Sequence, residues 1–501
     1  MLATNPLQIP EIQLQVAHYL DRTDLVQCVS VCRAWHQVFL PRIWRKLKVG
    51  QNRSSFAKLP SRDNLIQHCN LVQELHICDM FPGRYRATYP KLNTLALTKP
   101  DPSPWNTLAL TVTEATDQDN HANEGCKTEG DPTELIAVNP SLIRLTISKL
   151  SEYLLAPFWV AVSELPHLKI LNLHDARMEG KENLEAFWTA CRNLESLCIS
   201  GTWLAADDFT FEDDLVFRRL QVLELQLYMD MDKMDQLDMI RRCPYLEELI
   251  WCAAKNAHVL ELFALDAARG LWPRLERLKL ESDVPDAVTA LVIDGIPRLS
   301  KLDTNDPDLG PIFFQSLGHH SKTIVSLNLG RCGIRASSML QEMLCSFPHL
   351  EEFTSSSIYA KDIVDGQLWV CLSLKVLQVA IIFESAHQDL QPVVFDRLSR
   401  LICLETLRIG TSVAGRRFYF GRTLDLRLSS GLGALAKLTN LKHLSANSTT
   451  QKLGEEDLRW MVASWRKLES VEGAISGRAN GADLVRILKE HHISLLRSQQ
   501  H

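Results

Sequence analysis

The sequence predicts an α/β repeat fold, in which a short helical module precedes a long array of strand–helix units. Two observations indicate this fold. Leucine-rich segments recur at a near-constant interval through most of the 501 residues, and apolar residues at helical spacing lie between them. The first 45 or so residues lack this recurrence and contain three short helical segments instead. We therefore expect one small N-terminal module followed by one extended array.

A Leu-x-x-Leu-x-Leu pattern, or a close variant, defines the repeat. Copies begin at Leu142, Leu168 and Leu194, and successive copies from Leu142 to Leu374 are 24 to 29 residues apart. This period lies within the range of leucine-rich repeats, about 20–29 residues. Each unit supplies one strand and one helix, and stacked units share a core that a single unit cannot bury. The sequence thus predicts a curved leucine-rich-repeat solenoid with a parallel sheet on its concave face.

The repeats set the expected domain boundaries: a helical module at 1–50, the solenoid at 51–482, and a capping helix with a tail at 483–501. Two interruptions of the period predict inserts. The insert at about 100–135 is acidic and has no apolar rhythm, which predicts a mobile loop. The insert at about 410–423 is basic and aromatic, and Arg and aromatic residues are enriched at interface hot spots. Its candidate substrate contacts are Arg416, Arg417 and Tyr419, although a hairpin packed down on the solenoid is an equal alternative.

Three short helices are expected in the N-terminal module. Pro10 suits the first turn of a helix, where its missing N–H would be unpaired in any case. This first helix is expected to carry one apolar stripe, formed by Ile12, Val16, Tyr19 and Leu20. Three helices in about 40 residues cannot build a large core, so the module is expected to pack against a partner.

The order of residues in this module resembles the F-box motif. The matching segments are Ile9-Pro-Glu-Ile12, Tyr19-Leu20, Asp24-Leu25, Val31-Cys-Arg-Ala-Trp35 and Pro41 with Trp44, and Ile9 stands where the family usually has Leu. The remaining chain is similar to the leucine-rich-repeat branch of F-box proteins. The resemblance implies that the module binds the Skp adaptor of an SCF-type cullin–RING ubiquitin ligase, while the repeats bind a protein substrate. The residues that match the motif positions of the module and its adaptor contact are Ile9, Pro10, Ile12, Leu20, Leu25, Val31, Cys32 and Trp35.

The strand face of the repeats is the expected substrate surface. Within each strand the leucines should point into the core, and the residues between them should point to the concave face. Along this face the charge changes from acidic at Glu224 and Glu248 to basic at Arg277, Lys279 and Lys301. Because fixed cations favour an acidic or phosphorylated segment, these three basic residues are candidate substrate contacts. An ordinary solvated strand face is the alternative.

Composition and motifs exclude several classes of function. A net charge of −6 creates no field that would attract nucleic acid or an acidic membrane. The sequence shows neither a signal peptide nor an apolar run of about 18 residues, so we expect the cytoplasm or nucleus. The adjacent pair His319-His320 lacks zinc-site spacing, and no phosphate loop or nucleophile elbow occurs. We therefore predict a non-catalytic ligase subunit without metal or cofactor. An interaction scaffold without ubiquitylation is the alternative.

Overall fold

The computed structural model describes residues 9–49, 62–78, 85–98, 132–150, 154–205, 211, 214–226, 232–254, 256–332, 334–384, 388–410, 423–474 and 481–496. The chain divides into two compact units, Met1–Cys243 and Pro244–His501. Most of the acidic insert, and Arg416, Arg417 and Tyr419 of the basic insert, lie outside the described residues. Among the helices that are described, none is both long enough and apolar enough to cross a membrane.

The first unit begins with helices and continues as a parallel sheet. Its helices are α1 Pro10–Val16, α2 Arg22–Cys28, α3 Arg33–Arg45, α4 Arg62–His68, α5 Thr133–Ala137, α6 Ala156–Ser163, α7 Lys181–Ala190 and α8 Lys233–Arg241. Its strands are β1 Lys46–Val49, β2 Glu74–Cys78, β3 Thr94–Thr98, β4 Arg144–Ser148, β5 Ile170–His174, β6 Arg177–Glu179, β7 Ser196–Ser200, β8 Trp203–Ala205 and β9 Val222–Gln226. Strands β1 to β5, β7 and β9 pair in chain order, whereas β6 pairs with β8 in a small second sheet that the sequence pattern does not predict.

The described residues of the second unit form ten consecutive parallel strands. They are β10 Glu248–Ala254, β11 Arg277–Ser282, β12 Lys301–Thr304, β13 Ser326–Leu329, β14 Glu352–Tyr359, β15 Val376–Ile382, β16 Thr406–Arg408, β17 His443–Thr450, β18 Ser470–Ala474 and β19 Ser494–Leu496. The helices are α9 Ala257–Ala268, α10 Asp286–Gly295, α11 Pro311–Gly318, α12 Ser337–Ser346, α13 Ala360–Asp365, α14 Gln391–Ser399, α15 Glu455–Ser464 and α16 Gly481–Glu490. Between β16 and β17 the described residues form two 3-10 helices, Leu428–Ser430 and Leu432–Lys437, in place of an α-helix.

The leucines of the repeat form continuous buried rows in each unit. In the first unit Leu145, Leu171, Leu197 and Leu223 are register partners on neighbouring strands, and each is fully buried. Residues on either side of Leu171, Leu197 and Leu223 are only partly buried, as the alternation of a strand requires. Burying one such side chain stabilises the fold by about 1.5–3 kcal/mol. The predicted leucine-rich-repeat architecture, with its parallel sheet, is confirmed.

The cysteines that precede several leucine motifs are packing residues. Cys191, Cys243 and Cys371 are fully buried, and none of the three forms a disulfide. Burial raises the pKa of the Cys371 thiol to about 12, and burial likewise raises the pKa of Cys191 and Cys243. These thiols are therefore neutral and act as small apolar groups.

An alternating row of charges runs along the residues that precede strands β14 to β17. Lys375 Nζ lies 2.7 Å from Glu351 Oε2, and Lys442 Nζ lies 2.6 Å from Glu405 Oε2. Hydrogen bonding and attraction to Glu351, with a further contribution from Glu405, raise the pKa of Lys375. The backbone N–H of each of the three later residues donates to the carbonyl of the preceding member of the row. The four charges are therefore fixed in register with the sheet.

The C-terminal part of the chain continues the repeat pattern. Helix α16 begins at Gly481, close to the start predicted for the capping helix at 483. Its Ile487 and Leu488 are buried, as is the following Ile493. Beyond that helix, β19 pairs in parallel with β18 over three residues. The sequence pattern predicts only a tail here, because this strand lacks the leucine motif that marks the other repeats.

Candidate binding surfaces

The N-terminal helices surround a very small core. Its buried members are Ala17, Leu25, Phe39 and Ile43, and the Trp35 ring packs edge to face against Phe39 at a centroid distance of 5.4 Å. Four buried apolar residues offset little of the entropy that folding removes from about 40 residues. The module therefore depends on its neighbours for stability.

Hydrogen bonds join the first helix to the third, and the third helix to the sheet. Arg42 of α3 donates from Nη1 to the carbonyl of Leu14 at 2.7 Å and from Nη2 to Nδ1 of His18 at 2.8 Å. Helix α3 continues directly into β1, which pairs with β2. Lys46 Nζ lies 2.8 Å from Glu74 Oε2 across this pair. The helices are thus continuous with the first strands of the repeats.

The predicted apolar stripe of the first helix is partly wrong. Tyr19 is 91% exposed and Val16 is also exposed, whereas Gln13 and Ala17 are buried. Gln13 and Ala17 are one helical turn apart, and the small Ala17 side chain lets this segment approach the other helices closely. The larger apolar side chains consequently remain on the outside, where they are available to a partner.

A groove on the strand face of the second unit is the second candidate surface. It has a volume of about 380 Å³ and is lined by residues of β10 to β15. Six of its lining residues form a single row, because each is the register partner of the next on the adjacent strand. In strand order the first five, hereafter the charged row, are Glu248, Arg277, Lys301, Ser326 and Glu352, and the apolar Val376 follows them.

Two of the three predicted basic contacts are engaged in ion pairs. Arg277 Nε lies 2.9 Å from Glu248 Oε2, and its Nη1 lies 2.9 Å from Glu276 Oε1. Lys279 Nζ lies 3.5 Å from Glu281 Oε1. Lys301 is exposed and has no ion-pair partner within the described ranges. Lys301 therefore carries the most accessible positive charge of the three.

Acidic residues that were not among the predicted substrate contacts also line the groove. Asp303 is half-buried on the strand that carries Lys301, and burial raises the pKa of its carboxyl although Lys279 and Asn328 act in the opposite direction. Glu352 is exposed and accepts a hydrogen bond from Ser326 Oγ at 2.8 Å. The groove therefore carries both signs of charge rather than a basic stripe. This mixture of charges could have been predicted from the repeat period, because the period places Glu248 and Glu352 in the same row as Arg277.

Comparison with known families concerns the N-terminal helices. Residues 10–49 match the model of the F-box-like family. The chain carries an F-box-like domain. This confirms the resemblance in the motif residues, and the matched range ends at the last residue of β1, which pairs with β2. An F-box-like domain joined to leucine-rich repeats is an arrangement typical of non-catalytic adaptor proteins.

Solved structures similar to this chain include leucine-rich-repeat proteins. An internalin from Listeria monocytogenes is 14% identical, with 68% of this chain and 83% of that chain covered and a TM-score of 0.32. Rad7 in the yeast Rad7 and Elc1 complex is 14% identical, with 72% and 76% covered and a TM-score of 0.38. TLR13 in its complex with ssRNA13 is 13% identical, with 87% and 65% covered and a TM-score of 0.36. No curated protein matches the chain at a significant level.

The F-box-like domain exposes only part of the predicted adaptor contact. The predicted contact residues that are exposed are Ile9, Pro10, Val31 and Cys32. Those that are half-buried are Ile12, Leu20 and Trp35, and Leu25 belongs to the core. Further exposed apolar residues of the domain, which the sequence prediction did not assign to the contact, are Leu14, Val16, Tyr19 and Val26. So many exposed apolar side chains in so small a domain mark it as an interaction surface.

Proposed function

We propose that the chain is the substrate-recognition subunit of an SCF-type ubiquitin ligase. In this proposal the F-box-like domain binds the Skp adaptor, and through it a cullin–RING ligase, while the repeats bind a protein substrate. The chain itself performs no chemistry and brings the substrate to the enzyme.

The observation that supports this proposal is the F-box-like match at residues 10–49, together with the apolar surface of that domain. Val31 is 63% exposed and Tyr19 is 91% exposed. Large apolar side chains with such exposure contribute to affinity when a partner removes them from water. The direct connection of α3 to β1 would fix a bound adaptor to the repeats that hold the substrate.

Co-elution of the full chain with the Skp adaptor on size exclusion tests the adaptor contact. We expect a one-to-one complex with the wild-type chain and an affinity at least about tenfold lower for Tyr19→Asp/Val31→Asp. A matched control is Leu265→Asp, because Leu265 is exposed to a similar degree on α9 of the other unit. Circular dichroism of each variant verifies that the chain is folded.

The outcomes distinguish contact from core. Leu25→Ala removes a core residue and is expected to abolish binding by unfolding the domain, whereas the surface variant should weaken binding in a chain that stays folded. A folded wild-type chain that never co-elutes with the adaptor would contradict the proposal. The half-life of a captured substrate, measured with and without cullin activity, separates a ligase subunit from a scaffold that does not lead to ubiquitylation.

A further inference from the structure

We infer that the groove of the second unit binds an extended peptide segment in which one acidic residue is flanked on both sides by basic residues. This inference rests on the proposed function, since it names the class of substrate segment that the repeats would hold. It is carried by the order of charges along the charged row, which is negative, positive, positive, neutral and negative.

The centre of the charged row binds the acidic residue. Arg277 uses Nε and Nη1 in its two ion pairs, and Lys301 beside it has no ion-pair partner in the described part of the chain. A carboxylate placed between them receives charge-assisted hydrogen bonds from an exposed ammonium and from the outer edge of a guanidinium that is held in place. This carboxylate of the ligand lies over the boundary between the neighbouring strands β11 and β12.

The two ends of the charged row bind the basic residues. Glu248 engages Arg277 through Oε2 alone, and Glu352 accepts from Ser326 through Oε2 alone. Each carboxylate therefore presents its Oε1 to a ligand. These acids, with Glu276 and Glu281 close by, also repel a segment that carries only negative charge. The groove consequently selects for mixed charge and against a uniformly acidic or multiply phosphorylated segment.

The strand spacing fixes the separation of the charges in the ligand. Neighbouring strands lie about 4.8 Å apart, so the four steps from Glu248 to Glu352 span about 19 Å. An extended chain advances about 3.3–3.6 Å per residue. A segment that crosses the strands therefore places its acid about two residues from one base and three or four residues from the other. The expected pattern is base-x-acid-x-x-base, read in either direction.

Fluorescence anisotropy of labelled peptides with the full-length chain tests the inference without the adaptor. The probes are twelve-residue peptides of equal length: Lys-x-Glu-x-x-Lys, the same peptide with neutral flanks, and the charge-reversed Glu-x-Lys-x-x-Glu. We expect the first to bind about tenfold more tightly than the other two at low salt, and the difference to shrink at high salt. Lys301→Glu is expected to weaken binding of the first peptide about tenfold. The control Lys322→Glu makes the same charge change in an exposed turn outside the groove and should have no effect.

A charge exchange gives the decisive comparison. Lys301→Glu/Glu352→Lys leaves the net charge unchanged and should remove the preference for the first peptide over the charge-reversed one. Equal affinities for the three peptides, wild-type affinity in Lys301→Glu, or no binding to a folded chain would each overturn the inference. Adaptor co-elution measured on the same samples keeps the two proposals apart: peptide failure with normal co-elution refutes the groove and leaves the adaptor role standing.

Discussion

A single carboxylate links two consecutive repeats of the second unit. Asp286, at the start of α10, accepts hydrogen bonds from backbone N–H groups at the start of α11 in the next repeat. Its Oδ1 accepts from Gly310 at 2.8 Å and from Phe313 at 3.1 Å, and its Oδ2 accepts from Ile312 at 3.0 Å. The first N–H groups of a helix have no partner within the helix, so Asp286 caps α11 from outside.

Asp286→Ala is expected to lower the local stability of α11 by about 2 kcal/mol. The N–H of Ile312 is exposed and would bond to water at little cost. The N–H groups of Gly310 and Phe313 are partly buried, and leaving such a donor unsatisfied costs about 1 kcal/mol or more each. The total agrees with the upper range of about 0.5–2 kcal/mol that is measured when an N-cap residue is replaced by Ala.

Hydrogen–deuterium exchange measures this loss directly. A change of about 2 kcal/mol corresponds to roughly 30-fold faster exchange in peptides that cover residues 310–318. Asp286→Asn should be intermediate, because its amide oxygen can keep the two Oδ1 bonds while its NH₂ faces the N–H of Ile312. Asp365→Ala is the control, since Asp365 is exposed at the end of α13 and accepts no side-chain hydrogen bond in the described residues. Unchanged exchange of residues 310–318 in Asp286→Ala would refute this account of the cap.

Three other substitutions in the second unit test the charge of a buried carboxylate, a buried hydrogen bond and a close backbone contact. Burial, with a contribution from the neighbouring carboxylates, raises the pKa of Asp306, so its charge disfavours the folded state at pH 7. Asp306→Asn should therefore raise the midpoint of urea unfolding at pH 7. This gain should shrink as the pH falls through the acid range, because the wild-type carboxyl then becomes protonated. A gain that persists at low pH would show that charge is not the cause. In the core, Trp369 Nε1 donates to Gln341 Oε1 at 2.7 Å. Gln341→Leu should lower the free energy of unfolding by about 1–3 kcal/mol, because the indole N–H is left without an acceptor. A thermal unfolding experiment with an unchanged melting temperature would count against this bond. A Cβ at Gly410 would lie 1.5 Å from the carbonyl oxygen of Asn447, so Gly410→Ala should lower the melting temperature or cause aggregation. The control is Gly433→Ala, whose Cβ would meet nothing within 4 Å and which should behave as wild type.

The repeats are predictable from the sequence because their determinants are local. The leucine spacing and the alternation of a strand fix which side chains enter the core, so Leu171 and Leu197 lie where the period requires. The register of one repeat against the next follows from the same period. By contrast, β6 and β8 carry no leucine motif, and their pairing depends on how neighbouring repeats stack.

The interaction surfaces are only partly predictable. In the F-box-like domain, apolar periodicity favours Val16 and Tyr19 as core residues, yet α1 packs through Gln13 and Ala17. A three-helix unit has more apolar side chains than interior positions, and helical periodicity alone does not decide which of them remain outside. On the strand face, the sequence identifies Arg277 and Lys279 as cations, but their ion pairs with Glu248, Glu276 and Glu281 depend on cross-strand neighbours and side-chain conformation.

The alternating row of Glu351, Lys375, Glu405 and Lys442 constrains how the array can gain or lose repeats. Removing the single repeat that supplies Lys375 would bring Glu351 and Glu405 onto adjacent strands, where like charges directly opposite are destabilising. Removing two consecutive repeats would restore an acid beside a base. Over this stretch the array therefore tolerates deletion or duplication in steps of two more readily than in steps of one, which makes a pair of repeats the preferred unit of exchange in protein engineering.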